Sequence, residues 1–399
     1  MKTFKFIFIL IFLFVLLALS FRNYIFIPNV LYSNKNIKEA MYYRKLPNSR
    51  VQCLLCPRLC QLKDGQKGFC NSRINRKGRL YSLTYGKTIA ITFPLFLRTS
   101  LIYCSTNKDM LRLATVGCNM KCKFCFTWQI SQSTPEEIES MPYSRKIDAV
   151  TTATPILGLL EPKDIIAIAK KAKCEIITYN IANEPTTNYE YVLETAKLAK
   201  YNGLINILVT NGYINEAPLK ELLQYMNGVS VGLKGFTEEV YIKYCSAHLE
   251  PIQKSLKIIR DAGIGLEITY PVIPTVNDDA KQIKEMCLWI KENLGTDIPI
   301  QFIRYLPAYR LAFIPPTPIT TLESAEKIAH EAGLKNVSFN YLGGYPGVNF
   351  EEKIYCPHCN KLILYRKGGK YLLINNTKDG KCKFCGYRLS VIVLDDKNK

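Results

Sequence analysis

Three cysteines fall within eight residues, Cys118, Cys122 and Cys125 in the segment CNMKCKFC, and the set stops there. Zinc and most iron–sulfur clusters are held by four protein ligands, so a set of three points to a metal centre with one position left open. A cubane [4Fe-4S] cluster on three thiolates leaves one iron free to chelate a small molecule. A second constellation, Cys53, Cys56, Cys60 and Cys70 in CLLCPRLCQLKDGQKGFC, supplies four thiols at C-x2-C-x3-C-x9-C. It suits Zn2+ or a second Fe–S cluster, and zinc is the preferred reading. The third is Cys356-Pro-His-Cys359 followed, after 22 intervening residues, by Cys382-Lys-Phe-Cys385, two knuckles with the spacing of a zinc ribbon. His358 reads as a polar loop residue rather than a further ligand. Cys104, Cys174, Cys245 and Cys287 match no ligand spacing and read as ordinary buried thiols.

The elements that must position the triplet are legible as alternating strand-like and helix-like runs. LRLATV leads into it, and EIITY, LINILVT, VSVGL, LEITYPVI and IPIQFIRY follow. Amphipathic stretches such as NYEYVLETAKLAKY, LEPIQKSLKIIRDAG and DAKQIKEMCLWIKENLG fill the intervals. Repeated βα units imply parallel strands in an open or closed α/β barrel, whose working loops follow the strands' C-terminal ends. The triplet sits after the first strand, Asn183-Glu184-Pro185 after the second, Thr210-Asn211-Gly212 after the third and Leu233-Lys234-Gly235 after the fourth. Four polar motifs therefore converge on one rim.

Composition sets the context. With 399 residues and 48% apolar content the chain can bury a substantial core. Its 15 cysteines, mostly in CxxC-type sets, favour metal ligation in a reducing compartment over a disulfide scaffold. The formal charge of +20 would suit nucleic acid or an anionic surface, but the lysines are spread along the chain as on a solvated surface. At the N-terminus, Lys2 and Lys5 precede an apolar run from Phe6 to Leu19. A retained membrane anchor with a cytoplasmic catalytic part is the favoured reading; a signal peptide cleaved after Ala18-Leu19-Ser20 is the alternative.

CxxxCxxC on the loop after the first strand of a βα barrel resembles the radical S-adenosylmethionine (SAM) superfamily. With CLLCPRLC, VTNGY, LKGFTEEVYIKYC, EITYPVIPTVNDD, PPTP and the C-terminal cysteine pairs, the chain is similar to the AmmeMemoRadiSam-type radical enzymes, relatives of pyruvate formate-lyase activating enzymes. The resemblance runs from about Arg50 to Val393. It implies a partial (βα)6-type, TIM-like barrel over 106–350, a cysteine-rich module over 28–105, a zinc-ribbon-like module over 351–399 and the hydrophobic segment over 1–27. It also implies a [4Fe-4S] cluster on Cys118, Cys122 and Cys125, with SAM on its open iron. An electron then cleaves the sulfonium to a 5′-deoxyadenosyl radical that abstracts hydrogen from a protein or small-molecule substrate. Phe124 would lie near the adenine. Asn183 would belong to the cofactor site, Glu184 would accept from the methionine amino group, Thr210 and Asn211 would line the ribose and Lys234 would neutralise the carboxylate. The implied reductant is a low-potential donor such as flavodoxin or ferredoxin, and Zn2+ is implied at the C-terminal site.

Three departures stand out: Gly232 replaces the family's usual aspartate before the lysine, NIANEP replaces an aromatic-rich run, and Gln301 replaces a usual histidine. Gln301 can hydrogen-bond but cannot shuttle a proton near neutral pH. They place the divergence at the substrate end and leave a catalytically degenerate relative as an alternative. A basic zinc-ribbon protein binding nucleic acid through YRKGGKY (365–371) would explain the charge and the cysteine pairs, but not the ordered NEP, TNG and LKG motifs.

Overall fold

Six of these apolar runs form parallel strands in a computed structural model that describes residues 37–92, 104–105, 110–140, 154–179, 183–340, 351–367, 371–378, 380–389 and 392–393. They are β1 (Met110–Ala114), β2 (Ile176–Tyr179), β3 (Ile205–Thr210), β4 (Gly228–Gly232), β5 (Gly265–Val272) and β6 (Ile300–Arg304). Each pairs in parallel with the next in chain order. A seventh strand, β7 (Val337–Asn340), extends the series beyond the six units expected. Its four residues, VSFN, are too short a run to show periodicity. Beyond β1, Lys87–Thr92 pairs antiparallel with β1, and Thr154–Leu159 antiparallel with Lys87–Thr92. Among the described residues the two edges of this nine-stranded sheet do not pair with each other, so the barrel is partial.

Strands covered on both faces must be apolar nearly throughout. Every residue of β2 and of β4 is accordingly buried. The crossovers bury one stripe each. In α4 (Glu250–Asp261) Ile252, Leu256 and Ile259 recur at helical spacing, and in α5 (Ala280–Asn293) Ile283, Met286, Cys287 and Ile290 do. Cys287 is thus a core residue, as expected, and so is Cys174. The side chain of Cys104 lies outside the described residues. Asp279 caps α5 by accepting from the Gln282 backbone N–H at 2.9 Å. The other helices packed on the sheet are α1 (Pro162–Lys171), α2 (Tyr189–Tyr201), α3 (Glu216–Leu223) and α6 (Ile319–Glu331).

The cysteine-rich N-terminal part consists of short antiparallel strands whose Val51, Leu55, Leu62 and Leu80 belong to the same apolar core as the barrel. It is clamped there by a buried ion pair, Arg73 Nη2 to Glu190 Oε1 of α2 at 2.6 Å, with both side chains at most 1% exposed. The Met41 N–H donates to the same oxygen at 2.7 Å. At the other end of the chain, Glu351–Tyr355, Leu362–Lys367 and Tyr371–Asn375 form an antiparallel sheet. A small core of Ile354, Ile363, Leu364 and Leu389 surrounds Cys356 and Cys382. Lys335, in the turn leading into β7, donates through Nζ to the carbonyl of Pro357. The ribbon therefore contacts the barrel at the N-terminal ends of the strands.

The hydrophobic segment expected over 1–27 lies outside the described residues, as do 180–182 of NIANEP and 368–370 of YRKGGKY. Among the described residues no helix is long and apolar enough to cross a membrane.

Candidate active site

A cavity of about 330 Å³ opens at the C-terminal ends of the strands, and every residue expected at the site borders it: Cys118, Cys122 and Cys125, with Phe124, Asn183, Glu184, Thr210, Asn211 and Lys234. The triplet loop is fixed by its backbone. Lys121 N–H donates to Cys245 O at 2.9 Å, Lys123 N–H to Tyr244 O at 2.8 Å, and Arg310 N–H to Lys123 O at 2.9 Å. Arg58 Nε donates to Asn119 O at 2.6 Å, and Asn119 Nδ2 to Tyr213 O at 2.7 Å. A loop held from four directions presents its three thiols in one arrangement before any metal binds.

Burial pushes the thiols of Cys118 and Cys125 up from their ordinary pKa. For Cys122 a hydrogen bond with the Cys245 thiol is the leading cause of the upward shift, ahead of burial. Cys245 is buried, as expected, and its thiol lies against Cys122. Cys245 lies far along the chain in YIKYC, a π-helical turn over Tyr241–Cys245, and nothing in its spacing gave this away. Cys125 Sγ lies 3.1 Å from Ser131 Oγ.

Gly117, at φ +98°, places its α-carbon against the N-terminal module. A β-carbon there would lie 2.2 Å from Ser72 Oγ and 2.5 Å from the Cys70 carbonyl. Gly117→Ala is therefore expected to cost on the order of 1–3 kcal/mol of stability through overpacking and to reduce the iron retained by the triplet. Denaturant unfolding together with iron counting checks this.

Glu184, 3% exposed, is the hub of the opposite wall. Its Oε1 accepts from Thr186 N–H at 3.1 Å, Thr186 Oγ1 at 2.7 Å and Thr210 Oγ1 at 2.7 Å. Its Oε2 accepts from Asn211 N–H at 2.8 Å. Burial raises its pKa while these donors oppose the rise. The remaining acceptor capacity therefore lies on Oε2. Asn183 turns its amide onto Thr115 at the end of β1, accepting from the backbone N–H at 3.0 Å and donating to Oγ1 at 2.7 Å. Asn211 Nδ2 donates to Asn119 Oδ1 at 2.9 Å and lies 3.6 Å from Cys118 Sγ. NEP, TNG and the triplet are thus one hydrogen-bonded unit.

Gly232, at the position where the family usually carries an aspartate, has a physical counterpart. A β-carbon there would lie 2.5 Å from Lys234 Nζ, so the ammonium occupies the space that a side chain would fill. The Lys234 backbone is held by Tyr241 Oη, which accepts from its N–H at 2.9 Å, and by Asn277 Nδ2, which donates to its carbonyl at 2.9 Å. Thr317 of PPTP joins β5 to β6: its Oγ1 donates to Val272 O at 2.6 Å and accepts from Tyr305 N–H at 2.8 Å. Its carbonyl accepts from Arg304 Nε at 2.8 Å. Arg304 and Thr269 also line the cavity and were not anticipated. Gln301 is fully buried beside Thr269 in register, and its side-chain amide has no hydrogen-bond partner among the described residues.

At the ribbon, Cys356 Sγ and Cys385 Sγ lie 3.6 Å apart, Cys359 Sγ and Cys382 Sγ 3.7 Å, and all four lie within 4.8 Å of one another. A tetrahedron of Zn–S bonds of about 2.3 Å has edges of about 3.8 Å, so the donor set fits a single zinc-sized ion. His358 stays out of it and stacks on Tyr387.

The radical SAM superfamily matches residues 113–287, from the end of β1 through α5. An uncharacterized protein of Methanocaldococcus jannaschii, MJ0808, is 35% identical over 358 residues, which covers 90% of this chain and all of that one. The chain belongs to the radical SAM superfamily. Another relative, the (2S)-3-sulfopropanediol dehydratase activating enzyme of Klebsiella oxytoca, is 25% identical over 115 residues, 29% of this chain and 36% of that enzyme. A domain of pyruvate-formate lyase-activating enzyme from Bacteroides vulgatus shares 19% identity at a TM-score of 0.37, over 41% of this chain and 98% of that domain. The protein is an enzyme of radical SAM type, and that family implies SAM and a [4Fe-4S] cluster. Three thiols beside a cavity that Glu184, Thr210, Asn211 and Lys234 also line are a donor set that fits both. The superfamily match leaves out Cys53–Cys70 and the ribbon.

Proposed function

We propose that Cys118, Cys122 and Cys125 hold three irons of the cluster, and that the polar rim holds SAM for hydrogen abstraction from a protein or peptide substrate. The observation that carries this reading is the convergence of the three thiols with Glu184, Thr210, Asn211 and Lys234 on one cavity. When bound and reduced, the cluster supplies the one-electron chemistry that releases a 5′-deoxyadenosyl radical from SAM. The chain's own part is orientation and charge. Glu184 Oε2 accepts from the methionine amino group, the Lys234 ammonium faces its carboxylate, Thr210 and Asn211 border the ribose, and Phe124 gives the adenine an apolar wall. Arg304 adds a second cation at the substrate side.

A bulky substrate is favoured by the rim. Phe126 is 59% exposed beside the cavity, and Trp128, also exposed, stacks on Tyr309 with ring centroids 5.0 Å apart. The reductant on this reading is a low-potential one-electron donor such as flavodoxin or ferredoxin, and Cys356, Cys359, Cys382 and Cys385 hold a structural zinc.

Glu184→Gln tests the SAM site. A charge-assisted hydrogen bond contributes roughly 1.5–3 kcal/mol, so the SAM dissociation constant should rise about ten- to a hundredfold while iron content is unchanged. An unchanged dissociation constant, measured by calorimetry on the anaerobic protein, would remove Glu184 from the SAM site.

For location, the apolar run Phe6–Leu19 supports a membrane anchor with the catalytic part in the cytoplasm. The full-length chain should sediment with membranes, and removal of residues 1–27 should release it with its iron. A mature chain beginning at Phe21 would instead establish a cleaved signal peptide.

A further inference from the structure

The four N-terminal cysteines can be compared with two sets whose geometry is now known. The ribbon thiols gather within 4.8 Å, and among the described residues no other group of three or more Cys, His, Asp or Glu ligand atoms draws that close. Cys53, Cys56, Cys60 and Cys70 are all described, yet no three of their sulfurs lie within 4.8 Å of one another, against edges of about 3.8 Å around a single tetrahedral ion. The triplet Cys118, Cys122 and Cys125 is open in the same way. A cubane cluster requires this, because each thiolate binds a different iron.

The surroundings favour an anionic centre. Arg73, buried at 1% exposure, brings Nη1 to 3.8 Å from Cys53 Sγ. The Arg58 guanidinium lies 3.5 Å above the ring of Phe69, next to Cys70, and Lys121 Nζ lies 5.2 Å from the same ring. Arg73, paired with Glu190, is thus a fixed guanidinium within reach of one of the four thiols. The two cysteine sets also touch, since the Cys70 carbonyl packs on Gly117 and Arg58 donates to Asn119 O.

We infer that Cys53, Cys56, Cys60 and Cys70 hold a second iron–sulfur cluster, not a zinc ion, on a loop packed directly against the loop of the SAM-binding triplet. The comparison with the triplet rests on the function proposed above, so the test must separate the two. Full-length protein, purified and reconstituted anaerobically with iron and sulfide, is expected to contain about eight irons, eight sulfides and one zinc. Cys118→Ala/Cys122→Ala/Cys125→Ala should keep about four irons and four sulfides, whereas Cys56→Ala/Cys70→Ala should lose that same complement and keep the triplet's. A triple variant without iron, with or without a second zinc, overturns the inference. Should that variant fail to fold, the wild-type stoichiometry decides: about four irons per chain refutes the second cluster and about eight supports it. Whether SAM is cleaved is read separately, and its failure alongside an eight-iron protein would count against the proposed function alone.

Discussion

Replacing Cys118, Cys122 and Cys125 together by alanine should abolish reductive SAM cleavage while leaving the ribbon's zinc in place. All three protein ligands of one centre disappear, whereas Cys356, Cys359, Cys382 and Cys385 form a separate closed set at the other end of the barrel. The readout is 5′-deoxyadenosine formed under dithionite, measured beside zinc content. Unchanged product in the triple variant would exclude radical chemistry at this cavity and move the basic zinc-ribbon reading to first place. The loop is held by Arg58, Tyr244, Cys245 and Arg310 through backbone atoms of the triplet segment. The substitutions therefore remove ligands without removing the contacts that shape the loop.

Arg73→Ala should be the most destabilising single change. It strips the partner from Glu190, which is fully buried in α2, and breaking a buried ion pair from one side costs about 3–5 kcal/mol. Denaturant unfolding should show that loss, and iron at Cys53, Cys56, Cys60 and Cys70 should fall with it, since Arg73 also lies beside Cys53. Arg73→Met combined with Glu190→Leu should recover most of the stability, because removing both charges leaves neither stranded. It should not recover the iron. A double variant as unstable as the single one would show that Arg73 acts through its packing and not its charge.

Local patterns carried the readable part of the design. The strands from LRLATV to IPIQFIRY are apolar because both faces are covered, and the stripes of α4 and α5 repeat at helical spacing, so fold and rim motifs could be placed in order. The triplet and the ribbon are short-range spacings, equally visible. What escaped depends on contacts between distant segments. Cys245 reaches Cys122 only because a π-helical turn after β4 lies under the loop after β1. Asn277 and Thr317 act by tying strand ends together, and such turn residues carry no spacing signature. Gly232 looked like a lost carboxylate; in three dimensions its missing side chain is the space that Lys234 occupies. The second constellation has the right residues for two different centres, and its spacing alone does not choose between them.

The ribbon's seat has a practical consequence. Lys335 holds the Pro357 carbonyl, and Tyr387 lies within electrostatic reach of Asp297 and Arg260, all at the barrel end opposite the cavity. A dye or affinity handle carried on the ribbon would ride on the back of the enzyme, out of the path of an incoming macromolecule. Immobilised through that side, the protein would present its catalytic mouth outward to every candidate substrate passed over it.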